Sequence, residues 1–349
     1  MRGIVFTGHS TVELQEFPDP TPGPGEVVLE IKASGMCGSD LKFYRAAPGE
    51  MQRKLGVGEV TEPFIGGHEP CGVVVAVGSS VTEQQARVGQ RMMHHHYSAC
   101  GACLDCNAGW PQMCGNGFVV YGVTTNGAHA PYMKGDARGL VELPEELSFQ
   151  AGAAISCGTG TAFGALKRMQ ISGRDTLAIF GQGPVGLSAA QLATAMGARV
   201  IALDTSPERR ELAKGFGADV VIDPSAEDPV QALKDLTHGK GVDKALDCSG
   251  SEAARSAAVK GSRAWGTVCM VGEGGNLTVD VSRDLMRKQL TIIGSWTFSS
   301  VTQGECARFI ADRGVDMDGL FSHHFALDQA EEAYTLFDTQ TTAKGVFLS

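Results

Sequence analysis

No stretch of this chain reaches the roughly 18 uninterrupted apolar residues that a membrane helix needs. The longest mildly apolar run, from about Leu177 to Leu203, is broken by glycines and by Arg199. The N-terminus, Met1-Arg-Gly-Ile-Val-Phe-Thr-Gly-His9, has no apolar core long enough for a secretory signal and meets polar residues almost at once. Neither export nor a membrane partner is therefore expected, and a cytoplasmic location is. There is no long run of Lys or Arg, and 29 basic against 39 acidic side chains leave a net charge of −10. An acidic surface repels phosphate backbones, so nucleic acid is not an expected partner. There is also no internal repeat and no low-complexity tail. With 43% hydrophobic and 19% charged residues, the chain is too apolar for disorder and ordinary for a soluble globular protein.

At 349 residues the chain exceeds the size at which single cores stop growing, and two domains are expected. Ten cysteines without an export signal point to metal binding and free thiols in a reducing compartment. Four of them, Cys100, Cys103, Cys106 and Cys114, form a C-x2-C-x2-C-x7-C lobe able to surround one tetrahedral ion, with zinc the expected occupant. Two disulfides would require an oxidising compartment and would be strained at Cys-x2-Cys spacing. Four thiolates leave zinc no open position, so this lobe is read as structural and the chemistry must lie elsewhere.

The first 150 residues read as short β-rich segments with Gly/Pro punctuation, such as the alternating Val27–Ile31 and the apolar Cys71–Val77, separated by turns like Pro22-Gly-Pro-Gly25. After about Ala151 apolar strands alternate with helical patterns, the signature of βαβ units on a parallel sheet. Strands are predicted at Thr176–Phe180, Arg199–Leu203, Val220–Ile222, Lys244–Asp247, Thr267–Val271 and Leu290–Ile293, and helices at Pro184–Met196 and Pro207–Phe216. Gly181-Gln-Gly-Pro-Val-Gly186 fits G-x-G-x-x-G between the first strand and helix. Gly181 permits the tight turn, Gly183 lets a pyrophosphate approach and Gly186 allows close helix packing, while Pro184 and Val185 open the helix whose N–H groups face the anion. Asp204, about twenty residues on, is placed to accept from ribose hydroxyls, which favours NAD. A 2′-phosphate would be repelled there, although Arg209 offers one a partner.

Single Cys and His residues elsewhere carry little information alone, and Cys37 and Cys157 taken singly read as buried thiols. Cys71, Cys248, Cys269 and Cys306 are read as core thiols. Gly35-Met-Cys-Gly-Ser-Asp40, Gly66-Gly-His-Glu69, the four-cysteine lobe, Ser156-Cys-Gly-Thr-Gly-Thr161 and the dinucleotide fingerprint nevertheless form a set. In this order and spacing the chain resembles the zinc-dependent medium-chain dehydrogenase/reductases, the alcohol dehydrogenase superfamily, in the branch of threonine 3-dehydrogenase and sorbitol dehydrogenase.

The resemblance spans essentially the whole chain and implies an α/β two-domain fold. A GroES-like β-rich catalytic domain would take residues 1–153 and 298–349, and a Rossmann doubly wound parallel sheet would take 154–297, with the active site in the cleft. It implies a catalytic zinc on Cys37, His68 and Cys157, making two Zn2+ per subunit. Glu69 is implied beside the zinc as alternate ligand or field-tuning carboxylate. Asp40 would accept from the His68 ring N–H, and Ser39 would relay the alcohol proton. The implied reaction passes hydride from an alcohol, polar or polyol-like and secondary, to NAD+, giving a ketone or aldehyde, and runs in reverse. The rival readings are an NADPH-preferring carbonyl reductase and a non-catalytic nucleotide-binding protein.

Two departures and two ambiguities attend the resemblance. Lys42 stands where many members carry a relay histidine, and reads either as a proton acceptor or as a solvated surface lysine. His96, four residues before the lobe, matches threonine 3-dehydrogenases and suggests a polar substrate, whereas Cys157 stands where those enzymes carry an acidic residue. Within His94-His95-His96 a strand would turn only one or two rings to the cleft. Trp296 and Phe298 either wall the pocket or pack a subunit interface, and Leu290–Phe298 is the apolar edge through which a homodimer or homotetramer would form.

Overall fold

The computed structural model describes residues 1–55 and 62–349. They divide into two compact units, Met1–Gly160 with Ser299–Gln340 and Lys344–Ser349, and Thr161–Phe298 with Thr341–Ala343.

The second unit is built on a parallel sheet. Its strands run from edge to edge in the order Val220–Ile222, Arg199–Leu203, Thr176–Phe180, Val242–Asp247, Ser262–Met270 and Thr291–Gly294. This is the doubly wound order whose chain reversal falls beside the first strand. Central strands of such a sheet are covered on both faces and so read as continuous apolar runs. Leu177, Ala178 and Ile179 are accordingly fully buried, and Phe180, Ile201, Leu203, Ala245 and Val268 share one core. Helix Pro207–Gly215 starts at Ser206, whose Oγ accepts from Arg209 N–H at 3.2 Å, with proline in the first turn.

Val242–Asp247 starts two residues before the expected Lys244 and Thr291–Gly294 is shifted by one, but the largest difference from expectation is in a third strand. Ser262–Met270 begins five residues before Thr267, because Val242 pairs with Ser262 and Lys244 with Thr267, leaving a bulge between them. Trp265 sits there at φ 62° and 72% exposed, so the bulged half shows neither an apolar run nor alternation.

The first unit is the β-rich one. Its main sheet runs Phe321–Phe325, Lys344–Leu348, Glu26–Gly35, Pro70–Val77, Arg91–His94 and Leu140–Glu142, with Tyr132–Asp136 also pairing along Glu26–Gly35. The last strand of the chain therefore lies beside one of the first, with Val346 opposite Gly35. Leu29, Ile31, Val74, Met92 and Met133 fill one side of the sheet, and Ile4, Met36, Tyr44, Phe337 and Phe347 fill a second core. Cys71, Cys269 and Cys306 are fully buried, while Cys248 is partly exposed. Among the described residues no helix is long and apolar enough to cross a membrane.

The third glycine of the fingerprint is explained by space. A Cβ on Gly186 would lie 1.9 Å from the carbonyl oxygen of Gly181, so helix Pro184–Ala195 can approach the turn this closely only without a side chain. Because backbone is what it would strike, Gly186→Ala is expected to cost about 3 kcal/mol. Urea denaturation of the variant should show it, together with weaker dinucleotide binding.

Candidate active site

The first unit draws Cys37, His68, Glu69 and Cys157 together although they are distant in sequence. One ligand atom from each lies within 4.8 Å of the others. Pairing of Ser34 with Pro70 aligns the ends of two strands, and Gly35 N–H donates to Glu69 O at 3.1 Å, so Cys37 and His68 leave the sheet side by side. Cys157 arrives from the link between helices Phe149–Ile155 and Gly158–Arg168. Its neighbour Ser156 ties that link to the sheet by donating to Pro70 O at 2.8 Å. Close approaches at three positions around the cluster favour glycine. A Cβ on Gly35 would lie 2.0 Å from Glu69 Oε2, one on Gly66 2.4 Å from the Phe6 ring, and one on Gly67, at φ 85°, 2.4 Å from the His129 ring.

The donor set fits a divalent ion. Cys37 Sγ and Cys157 Sγ are 3.9 Å apart, close to the roughly 3.8 Å edge of a tetrahedron whose zinc–sulfur bonds are about 2.3 Å. A hydrogen bond from the Cys157 thiol holds the Cys37 pKa well down, against burial and with help from His68, and Cys157 is correspondingly raised. Ligand thiols give up such protons when metal binds. Burial disfavours a charged His68 ring, but Asp40 and the Cys37 thiolate outweigh it and raise its pKa. Asp40 Oδ1 lies 3.0 Å from His68 Nδ1, which leaves Nε2 to face the cluster. Asp40 is itself held by Cys37 N–H, donating to Oδ2 at 2.8 Å. Ser39 Oγ stands 3.3 Å from Cys37 Sγ and 3.2 Å from His68 Nε2, at the mouth of the cluster.

Glu69 carries a partner of its own. Lys344 Nζ is 2.5 Å from Glu69 Oε2, and the two side chains are 1% and 0% exposed. Burial pushes the Glu69 carboxyl up and Lys344 opposes that; burial likewise opposes the ammonium, and Glu69 keeps it charged. Lys344 also donates to Met36 O at 3.0 Å.

The four-cysteine lobe is a second cluster. Its sulfurs are 3.8 Å apart for Cys100–Cys106 and Cys103–Cys114 and 3.5 Å for Cys114–Cys100, and all four thiols are free. Backbone N–H groups of Ala102 and Cys103 lower the Cys100 thiol to about 6. The paired strands Tyr97–Ala99 and Phe118–Val120 close the lobe at its base.

In the second unit the fingerprint forms a cradle. Gly181 adopts φ 91°. Gly183 caps helix Pro184–Ala195 with nothing within 4 Å of where its Cβ would be. Open space above helix N–H groups suits a pyrophosphate. Asp204, ending the neighbouring strand, accepts from Gln182 N–H at 2.6 Å and Ser206 N–H at 2.8 Å, which fixes the carboxylate at the cradle's side.

Residues 23–145 match the alcohol dehydrogenase GroES-like domain, and 184–312 match the zinc-binding dehydrogenase family. An uncharacterized zinc-type alcohol dehydrogenase-like protein of Escherichia coli strain K12 is 40% identical over 99% of this chain and 98% of its own. The chain belongs to the zinc-binding alcohol dehydrogenase superfamily. L-threonine 3-dehydrogenase of Pyrococcus horikoshii is 33% identical, covering 96% of this chain and 94% of that protein. Among solved structures, an alcohol dehydrogenase from Thermus sp. ATN1 superposes with a TM-score of 0.89 at 28% identity, covering 100% and 99% of the two chains. An Escherichia coli CFT073 alcohol dehydrogenase complexed with NADH gives 0.87 at 25%, over 100% and 99%. A zinc-binding dehydrogenase of Sinorhizobium meliloti 1021 bound to NADP gives 0.85 at 26%, over 100% and 99%.

In this alcohol dehydrogenase-like oxidoreductase the three histidines part company. His94 ends its strand and meets Asp136 O at 3.0 Å, far from being a ligand. His96 is 2% exposed, its ring centroid 5.3 Å from that of His68, and Nδ1–H donates to Ser156 O at 2.9 Å. His95 stacks on His96 at 5.6 Å. Lys42 sits in the short helix Asp40–Arg45. Phe298 is fully buried, which corrects the expectation that it lines a pocket or faces a partner chain; Trp296 is 43% exposed. Sequence reasoning missed Lys344 altogether, since a lone lysine heading the last strand gives no local sign of its partner. Its loss should be costly. Removing one member of a buried pair costs about 3–5 kcal/mol, so Lys344→Met is expected to destabilise by that amount in denaturant titration. Adding Glu69→Gln should restore most of it, a recovery that separates charge burial from packing.

Proposed function

We propose that this chain is an NAD-dependent zinc alcohol dehydrogenase that oxidises a polar secondary alcohol to a ketone and runs in reverse. The observation that carries the reading is the Cys37–His68–Cys157 cluster with Ser39 at its mouth. Zinc held by these three side chains, with Glu69 adjacent, would supply the Lewis acidity that makes an alcohol easy to deprotonate near neutrality. Ser39 Oγ, within hydrogen-bond reach of the ligand atoms and partly exposed, would relay the alcohol's hydroxyl proton, accepting it as its own proton passes to solvent. Gly181, Gly183 and Gly186 would hold the diphosphate of a nicotinamide dinucleotide, which would supply the acceptor for the hydride that the carbinol carbon gives up. His96 supports a polar substrate: burial lowers its pKa well below the usual range, so it stands beside the cluster as a neutral ring. Cys100, Cys103, Cys106 and Cys114 would hold a second zinc, which would maintain the loop. The edge strand Thr291–Gly294, with Ile292 38% exposed and Trp296 beyond it, is where a second copy would add its own strand.

Cys37→Ser is expected to remove one of two zincs, as counted by elemental analysis, and to abolish alcohol-dependent NADH production while NADH binding persists. Turnover undiminished in this variant would overturn the assignment. Substrate class is read from a panel of threonine, polyols, small secondary alcohols and bulky apolar alcohols, of which the polar members should be preferred.

One observation favours NADPH instead. Arg209 is half-buried beside Asp204, and its Nε has no hydrogen-bond partner. For an NAD enzyme, Asp204→Ala should raise NADP use at least about tenfold by removing repulsion of a 2′-phosphate. Wild-type protein that already prefers NADP would establish the second reading.

A further inference from the structure

Behind His68 the hydrogen bonds continue well past Asp40. Tyr334 OH donates to Asp40 Oδ2 at 3.3 Å, His129 Nε2 meets the same hydroxyl at 2.7 Å, and Ser34 Oγ meets His129 Nδ1 at 2.7 Å. Ser34, His129, Tyr334, Asp40 and His68 are all at most 4% exposed.

The polarity of this chain is fixed from its acidic end. An ionised carboxylate only accepts, so Tyr334 spends its proton on Asp40 and must itself accept from the His129 Nε2–H. A neutral His129 with its proton on Nε2 has Nδ1 as acceptor, and Ser34 donates to it. Burial holds His129 down at about 4, consistent with the neutral ring. Every proton thus points along one line toward Asp40. The line crosses the unit, from strand Glu26–Gly35 through the segment before Tyr132–Asp136 to helix Ala330–Asp338.

The rings have little room to move. Tyr334 packs edge-on against Phe6 at 5.0 Å, and the His129 ring lies against Gly67, the residue preceding His68. Two donors, Cys37 N–H and Tyr334 OH, converge on Asp40 Oδ2, which leaves Oδ1 to face His68 Nδ1 at 3.0 Å.

We infer that Tyr334 and His129 are positioning residues for the His68 ligand, holding Asp40 in the orientation that keeps the His68 proton on Nδ1 and Nε2 turned to the metal. This rests on the reading that Cys37, His68 and Cys157 bind zinc. Tyr334→Phe keeps the ring and its packing, removes one donor from Asp40 and orphans the His129 N–H. Partners behind metal ligands typically govern affinity by 10–100-fold, and a residue one step further out falls at the lower end.

The test is zinc release from the holoenzyme to an excess of chromogenic chelator, with the four-cysteine lobe of the same chain as internal control. Wild type should release zinc in two phases. Tyr334→Phe should speed the cluster phase about tenfold and leave the lobe phase unchanged. Cobalt exchanged into the cluster should show a shifted d–d spectrum in the variant. In an Asp40→Ala background the Tyr334 substitution should have no further effect, since it acts through Asp40. Ser34→Ala, a milder change, should give the same pattern at about two- to threefold and stands in if Tyr334→Phe does not fold. An unchanged cluster phase, or equal acceleration of both phases, overturns the inference while leaving the zinc reading intact. Wild type with a lobe phase alone overturns both.

Discussion

The catalytic unit depends on balancing charge where water is excluded. Cys37, Cys157, Asp40 and Glu69 bring four potential anions into one small buried region, against the single ammonium of Lys344. Removing an ion from water costs several kcal/mol even after the protein relaxes, and the attraction of a partner repays this only with close geometry. Asp40 meets His68 at 3.0 Å and Glu69 meets Lys344 at 2.5 Å, both hydrogen-bond lengths. A divalent cation held at the cluster would bring the local sum near −1, the charge balance that so dense a gathering of acids and thiols calls for. The glycines around the site serve the same end: Gly35 makes room for the Glu69 carboxylate and Gly67 for the His129 ring.

The two halves of the molecule were unequally legible in the sequence. The cofactor unit is made of local signals: apolar strands, capped helices and a glycine fingerprint, each complete within a few residues. Thr176–Phe180, Arg199–Leu203 and Val220–Ile222 could be bounded to the residue for that reason. Of the bulged strand Ser262–Met270 only the half from Thr267 was legible, because the half before it is neither apolar nor alternating. The four-cysteine lobe was legible through spacing alone.

The three-ligand cluster was legible only through family resemblance. Cys37, His68 and Cys157 are brought together by the register of Glu26–Gly35 against Pro70–Val77 and by a helix junction, none of which has a local signature. The same applies more strongly to Lys344, Tyr334 and His129. A lysine, a tyrosine and a histidine far apart in sequence look like ordinary surface or core residues until strand pairing defines their neighbours. His94-His95-His96 shows the converse: a conspicuous run whose members turn out to have unrelated settings, one of them next to His68.

The placement of Lys344 beside Glu69 also sets an order of events during synthesis. The cofactor unit is nearly continuous in the chain, from Thr161 to Phe298, and domains generally fold as units once their residues have emerged. The β-rich unit begins to emerge before it yet cannot close, since the strand Lys344–Leu348 that pairs with Glu26–Gly35 lies beyond the cofactor unit in the chain and emerges only after it. Until then Glu69 lacks its counter-ion and the sheet keeps an open edge. Of the two units, the one that begins earlier is therefore completed later, and the arrival of Lys344 becomes the condition for closing the Cys37–His68–Glu69–Cys157 cluster.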